Sequence, residues 1–198
     1  MIAFKRLVDI VLSAGCLIVL APMMLIVAIF VRINLGSPVI FQQERPGLFG
    51  KPFRMYKFRS MLELNDGNGE ALADSERLTE FGKLLRKSSL DELPGFYNVL
   101  VGDMSIVGPR PLLVENVDKY SPRQASRMDV RPGVTGLAQI SGRNDVDWNE
   151  KLELDAVYVE NWTMLLDMKI LIKTLKVVIF ARGIGKDVYE RSDDFSGN

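Results

Sequence analysis

Apolar and polar positions divide the chain at about residue 36. From Ile10 to Val31 no residue is charged, a run long enough for the roughly 20 residues that a bilayer core requires. Pro22 lies near its middle, with Lys5 and Arg6 before the run and Arg32 after it. Proline inside a helix removes a backbone bond and clashes with the preceding turn, so a kink is predicted there. Two membrane topologies satisfy the pattern. A single span leaves one basic flank on the outer face, against the positive-inside bias. A helix broken at Pro22 enters and leaves through one leaflet, each arm of about 11 residues reaching roughly 16 Å, half the hydrocarbon depth. A buried helix of a soluble core is the third reading.

Beyond Gly36-Ser37-Pro38 the pattern changes. Val39–Phe41 and Phe53–Phe58 flank the turn-rich Arg45–Gly50 and predict a β-hairpin. Lys57 and Arg59 share a face by the period of two, as a lysine-protected edge strand also would. Residues 62–77 are polar and predict a loop. Thr79–Lys87 predicts a short helix with Phe81, Leu84 and Leu85 inward; it sets Lys83, Arg86 and Lys87 just before Asp91-Glu92. Ser89-Leu90-Asp91-Glu92 fits a capping box, predicting a helix that starts near Asp91 and buries Phe96, Tyr97, Val99 and Leu100.

Ser121–Arg127 predicts a further helical turn. Val130–Asn144 is loop-rich, with Gly133, Gly136 and Gly142 beside Arg131 and Arg143, a pattern that lets amides and cations approach an anion. Asp147 is predicted to open a helix to about Leu165 with Leu154, Tyr158, Trp162 and Leu165 on one stripe. Asp167 is predicted to cap a last helix, Met168–Ala181, with Leu171, Leu175 and Val178 on one face and Lys169, Lys173 and Lys176 on another. Such a helix lies on an anionic membrane or serves as a core helix with a solvated lysine face. The pattern gives an α+β fold class, mostly helical with a small β-hairpin; the N-terminal membrane helix broken at Pro22 and the interfacial amphipathic helices complete the expectation only with the family resemblance given below. The expected divisions are an anchor over 1–36, a body over 37–182, which is the catalytic part if the candidate residues below act as expected, and a tail over 183–198.

Composition then narrows the chemistry. With 25 basic and 25 acidic residues the net charge is zero, so bulk charge gives no reason to expect nucleic acid binding. There is no histidine and one cysteine, which removes Ser-His and Cys-His nucleophile pairs, imidazole metal sites and internal disulfides. A metal would take oxygen ligands, favouring magnesium or manganese. Within this inventory the adjacent carboxylates Asp91 and Glu92 stand out. So does Arg110, whose neighbours Pro109 and Pro111 fix the backbone on both sides and whose planar fork suits phosphate. A helix start and a rigid surface turn are the plain readings of the same residues.

Taken together, several motifs resemble the small monotopic phosphoglycosyl transferases, the bacterial sugar transferases that start lipid-linked glycan assembly. They are Lys5-Arg6 and the Pro22-broken helix, Gln43-Glu44-Arg45-Pro46-Gly47, Tyr56-Lys57-Phe58-Arg59-Ser60-Met61, Ser89-Leu90-Asp91-Glu92-Leu93-Pro94, Asn98-Val99-Leu100, Gly102-Asp103-Met104-Ser105, Gly108-Pro109-Arg110-Pro111 and Arg131-Pro132-Gly133-Val134-Thr135-Gly136-Leu137-Ala138-Gln139. The length resembles a minimal catalytic unit.

The resemblance implies that Asp91 attacks the β-phosphate of a UDP-sugar, expels UMP and passes the sugar phosphate to polyprenyl phosphate. It implies Mg2+ on Asp91 and Glu92, with Arg110 stabilising the transferred phosphoryl group. Lys57, Arg59, Lys83, Arg86, Arg131 and Arg143 are the cations available to nucleotide or lipid phosphate, and Asp155 matches a further acidic position. A re-entrant helix on the cytoplasmic face of the bacterial inner membrane, and downstream glycosyltransferases as partners, follow from the same likeness. A metal-dependent diphosphate hydrolase and a catalytically silent membrane scaffold are the rival readings.

Overall fold

The computed structural model describes residues 2–66, 69, 72–141 and 147–180. The expectations placed on Gly142, Arg143 and the tail 183–198 lie outside these residues. Helix α1 runs as one element from Ile2 to Leu35 with Pro22 inside it, and by length and composition it can cross a membrane. It is not an isolated rod. At one end Arg6 donates to the carbonyls of Val99 and Leu100, and Lys5 pairs with Asp167. Close by, Asp9 accepts from the Ser105 hydroxyl at 2.8 Å and the Ile106 amide at 3.1 Å. At the other end Val27, Val31 and Leu35 are buried in a core with Phe58 and Leu85.

The hairpin forms as predicted, with a longer first strand: β1 (Ile40–Pro46) pairs antiparallel with β2 (Pro52–Phe58), Ile40 opposite Phe58 and Pro46 opposite Pro52. A short helix α2 (Asp74–Arg77) interrupts the expected loop, and α3 (Glu80–Lys87) follows, its amide at Gly82 capped by the Thr79 hydroxyl. Leu85 of α3 is buried, but Leu84 is exposed, contrary to expectation. Helix α4 (Gly95–Val101) starts after Pro94, not at Asp91. Ser89 adopts a left-handed conformation, φ 57°, and its side chain caps nothing. The capping-box reading is thus corrected: Asp91 lies in a 3-10 turn, Leu90–Glu92.

Strands β3 (Ser105–Val107) and β4 (Gly133–Thr135) form a second, parallel pair. The glycines expected to open an anion nest serve this pairing instead. A Cβ on Gly133 would lie 2.1 Å from the Gly108 nitrogen, and one on Gly136 2.2 Å from the Gly108 oxygen. The Gly133 amide is already committed to the Pro109 carbonyl at 2.8 Å.

Between the two strands sits the short helix α5 (Pro122–Ala125), opened by a capping box of Ser121 and Gln124. After β4 come α6 (Leu137–Ser141), α7 (Trp148–Glu160) and α8 (Met164–Phe180). The break between the last two comes earlier than predicted. Thr163 caps α8, accepting from the Leu166 amide. Asp167 lies inside the first turn as a buried acceptor for Tyr158 and Trp162. The inward face of α7 is Leu152, Asp155, Ala156 and Tyr158, while Leu165 is exposed on α8 with Met168, Ile172 and Leu175. The central core joins β2, α4, β3, α7 and α8 through Met55, Val99, Met104, Ile106, Val107, Tyr158 and Ile170.

Candidate active site

Three elements bring the chemistry together. Leu90 and Leu93 pack into the core that α1 shares with Phe58 and Leu85, which seats the 3-10 turn carrying Asp91 and Glu92. Strand β2 brings Lys57. Its register against α4 is set by Asn98, which is fully buried; Asn98 accepts from the Tyr56 amide at 3.0 Å and donates to the Arg54 carbonyl at 2.7 Å. The segment after β3 brings Arg110.

Glu92 Oε1 receives Arg110 Nη2 at 2.6 Å and Lys57 Nζ at 3.2 Å. Burial alone would raise the Glu92 pKa, but Arg110 and Lys57 outweigh it and hold the carboxyl well below its usual range. Burial lowers the Lys57 ammonium, an effect opposed by Glu92 and assisted by Arg110.

Asp91, the adjacent carboxylate, is treated differently. It is 7% exposed, and no hydrogen bond reaches its carboxylate from any described residue. Burial, then the charge of Glu92, pushes its pKa up to about 6, against the pull of Lys57, Arg110 and Arg86. Two neighbouring acids are thus driven apart: one ionised and tied down, the other with its lone pairs unspent. Three cations against two carboxylates leave the site receptive to an anion.

The other sequence candidates take other places. Arg86 belongs to the cationic surround of Asp91 and donates to Ser60 at 2.9 Å. Arg59 is buried and committed to the Ser37 carbonyl and Glu63. Lys83 pairs with Glu80 on the surface of α3, and Arg131 donates to the Gly102 carbonyl. Asp155 is buried against Arg127 at 2.8 Å. Sequence reasoning overlooked Arg127 and gave Asn98 no role; an amide within the apolar run Phe96–Val101 is the signal that marks Asn98, whereas the polar surroundings of Arg127 in the chain carry none.

The family model for bacterial sugar transferases matches residues 1–181. The chain belongs to the bacterial sugar transferase family. This sugar transferase is 47% identical over 194 residues to the uncharacterized sugar transferase EpsL of Bacillus subtilis, spanning 98% of the present chain and 96% of that protein. It is 43% identical over 196 residues to the UDP-glucose:undecaprenyl-phosphate glucose-1-phosphate transferase of Klebsiella pneumoniae. It is 42% identical over 192 residues to the undecaprenyl-phosphate galactose phosphotransferase of Salmonella typhimurium. The matches cover 94% and 88% of the sugar transferase but only 41% and 40% of those two longer relatives.

Proposed function

We propose that the protein moves a sugar-1-phosphate from a UDP-sugar to a polyprenyl phosphate such as undecaprenyl phosphate, through a covalent intermediate on Asp91. The observation that carries this reading is the division between the two carboxylates: Glu92 is locked by Arg110 and Lys57, whereas Asp91 is buried, ionisable near neutrality and without a hydrogen-bond donor among the described residues. A carboxylate nucleophile needs unshared electrons and no base to deprotonate it in the reactive form. An Asp91 oxygen attacks the β-phosphorus, the bond from that phosphorus to the bridging oxygen breaks, and UMP leaves with the electron pair. An oxygen of the lipid phosphate then attacks the same phosphorus and breaks its bond to Asp91, restoring the carboxylate. Arg110 and Lys57 face the charge that gathers on the transferred group.

Asp91 and Glu92 are the residues that would hold a magnesium ion. Among the described residues no cluster of three acidic, histidine or cysteine side chains exists to hold a metal alone. Two carboxylates are as many as Mg2+ takes when substrate phosphates complete its shell. The ion would offset the diphosphate charge when bound.

Membrane attachment has its own support. Both ends of α1 contact one body, through Lys5, Arg6 and Asp9 at one end and Val27, Val31 and Leu35 at the other, while the residues between, such as Ile18, Val19, Leu25 and Ile26, are exposed and apolar. A helix whose ends lay on opposite faces of a bilayer would not meet the same aqueous domain twice. This favours the re-entrant arrangement at the cytoplasmic face, where a lipid phosphate and a soluble nucleotide sugar can both reach Asp91.

Intact-mass measurement after mixing the protein with UDP-glucose, UDP-galactose or their N-acetylated counterparts tests the intermediate. A mass gain of one sugar phosphate is expected for the parent and not for Asp91→Asn, which folds normally and transfers nothing. Full transfer by Asp91→Asn would sink the assignment. UMP release that leaves no lipid product when undecaprenyl phosphate is supplied would favour a hydrolase instead.

A further inference from the structure

We propose that the buried pair Arg127–Asp155 is a positioning device for Arg110, acting on the transfer reaction by holding the backbone of the Pro109–Arg110–Pro111 segment. The inference rests on the role given to Arg110 above. Arg127 is 5% exposed, in a 3-10 turn over Ser126–Met128. Its Nη2 donates to the Arg110 carbonyl at 2.6 Å and to Asp155 Oδ2 at 2.8 Å. Its Nε reaches the same Asp155 oxygen at 3.2 Å, and Nη1 reaches the Tyr120 hydroxyl at 3.0 Å. The Tyr120 ring stacks against the guanidinium, 5.4 Å from Cζ to the ring centroid. One planar group therefore ties together α7, the Tyr120 segment and the Arg110 loop.

The loop has need of an outside tie. Its two prolines contribute no amide donors, so it cannot knit itself through backbone bonds at those positions. Strand β4 holds its first residue, the Gly133 amide donating to the Pro109 carbonyl. Arg127 holds the next one, and the side chain of that residue reaches Glu92 at 2.6 Å. Stability is a poor reason for the pair: burying two charges is costly, and apolar replacements of similar volume often serve folding as well. Among the described residues, Asp155 even keeps one oxygen, Oδ1, buried without a partner. Geometry is the better reason. A five-donor fork can serve three acceptors from three elements at once, and a lysine ammonium in its place cannot reproduce that plane.

The experiment uses the full chain in lipid nanodiscs, with UDP-glucose and UDP-galactose each run as donor and undecaprenyl phosphate as acceptor. Arg127→Lys and Asp155→Asn are each made in the parent and in Arg110→Ala. In the parent, Arg127→Lys is expected to lower kcat by about ten- to a hundred-fold, the scale that small misplacements near reacting groups produce, with KM for the donor within about two-fold. In Arg110→Ala the same substitution is expected to change kcat by less than about two-fold, because the group it positions is gone. Equal losses in both backgrounds, or an unchanged kcat in the parent, would overturn the proposal. Asp155→Asn keeps the shape of the pair and gives the same comparison if Arg127→Lys does not fold. Arg110→Ala that transfers at the parent rate would instead overturn the role of Arg110 itself, a different result from additivity.

Discussion

Asp91 and Glu92 are neighbours in the chain and opposites in the fold. Two consequences follow from the Asp91 pKa of about 6. If Asp91 is the nucleophile proposed above, attack requires its ionised form, so kcat/KM for the UDP-sugar should fall as pH drops through about 6 and level off above it; a rate profile over that range checks this. The raised value also means that ionisation is disfavoured in the native state. The contribution of this group to stability is complete below its ordinary value of 3.8 and is lost as pH rises through about 6. Asp91→Asn should therefore be more stable than the parent at about pH 7.5, by on the order of 1–3 kcal/mol, and equal to it near about pH 3. Thermal melts at the two pH values decide the matter.

The pair was legible in the sequence as a candidate site, because two adjacent acids in a histidine-free chain are conspicuous. Their difference was not. It arises from Lys57 and Arg110, which lie 35 and 18 positions away from Glu92, and from a left-handed Ser89 that no residue pattern announces.

At the level of elements, the hairpin, the helix over Glu80–Lys87 and the long apolar helix could be read from periodicity, since each rests on local pattern. The parallel pair of β3 and β4 could not. Three-residue strands from distant segments leave almost no alternation to detect, and their glycines imitate a phosphate loop. Two substitutions test how these joints hold the site. Asn98→Ala leaves the Tyr56 amide and the Arg54 carbonyl without their buried partner and should cost about 3 kcal/mol. Gly133→Ala forces a methyl against Gly108 and should cost about as much through overpacking. Denaturant titration measures both. Loss of transfer beyond the loss of folded protein is expected for each, because β2 and β3 carry Lys57 and lead to Arg110.

For the whole molecule, the central question is how the chain sits at a membrane. With Cys16 replaced by Ser, single cysteines introduced as Ile2→Cys and Ser37→Cys should both react with a membrane-impermeant maleimide from the cytoplasmic side of inverted vesicles. Neither should react from the outer side of intact cells. Reaction at the two positions from opposite sides would establish a single span. The apolar run and its flanking charges made membrane attachment legible, but not the grip at both ends of the helix. That grip depends on Asp167, Ser105 and Val99 at one end and on Phe58 and Leu85 at the other, none of which sits in the apolar segment.

Its reach into the site has a practical side. One end of α1 holds β3, the strand that leads to Arg110; the other shares a core with Leu90 and Leu93, which flank the Asp91–Glu92 pair. Cutting the anchor away to obtain a water-soluble enzyme would strip the core that seats the Asp91–Glu92 turn, so purification should preserve the long apolar helix and judge each detergent by turnover as well as by yield.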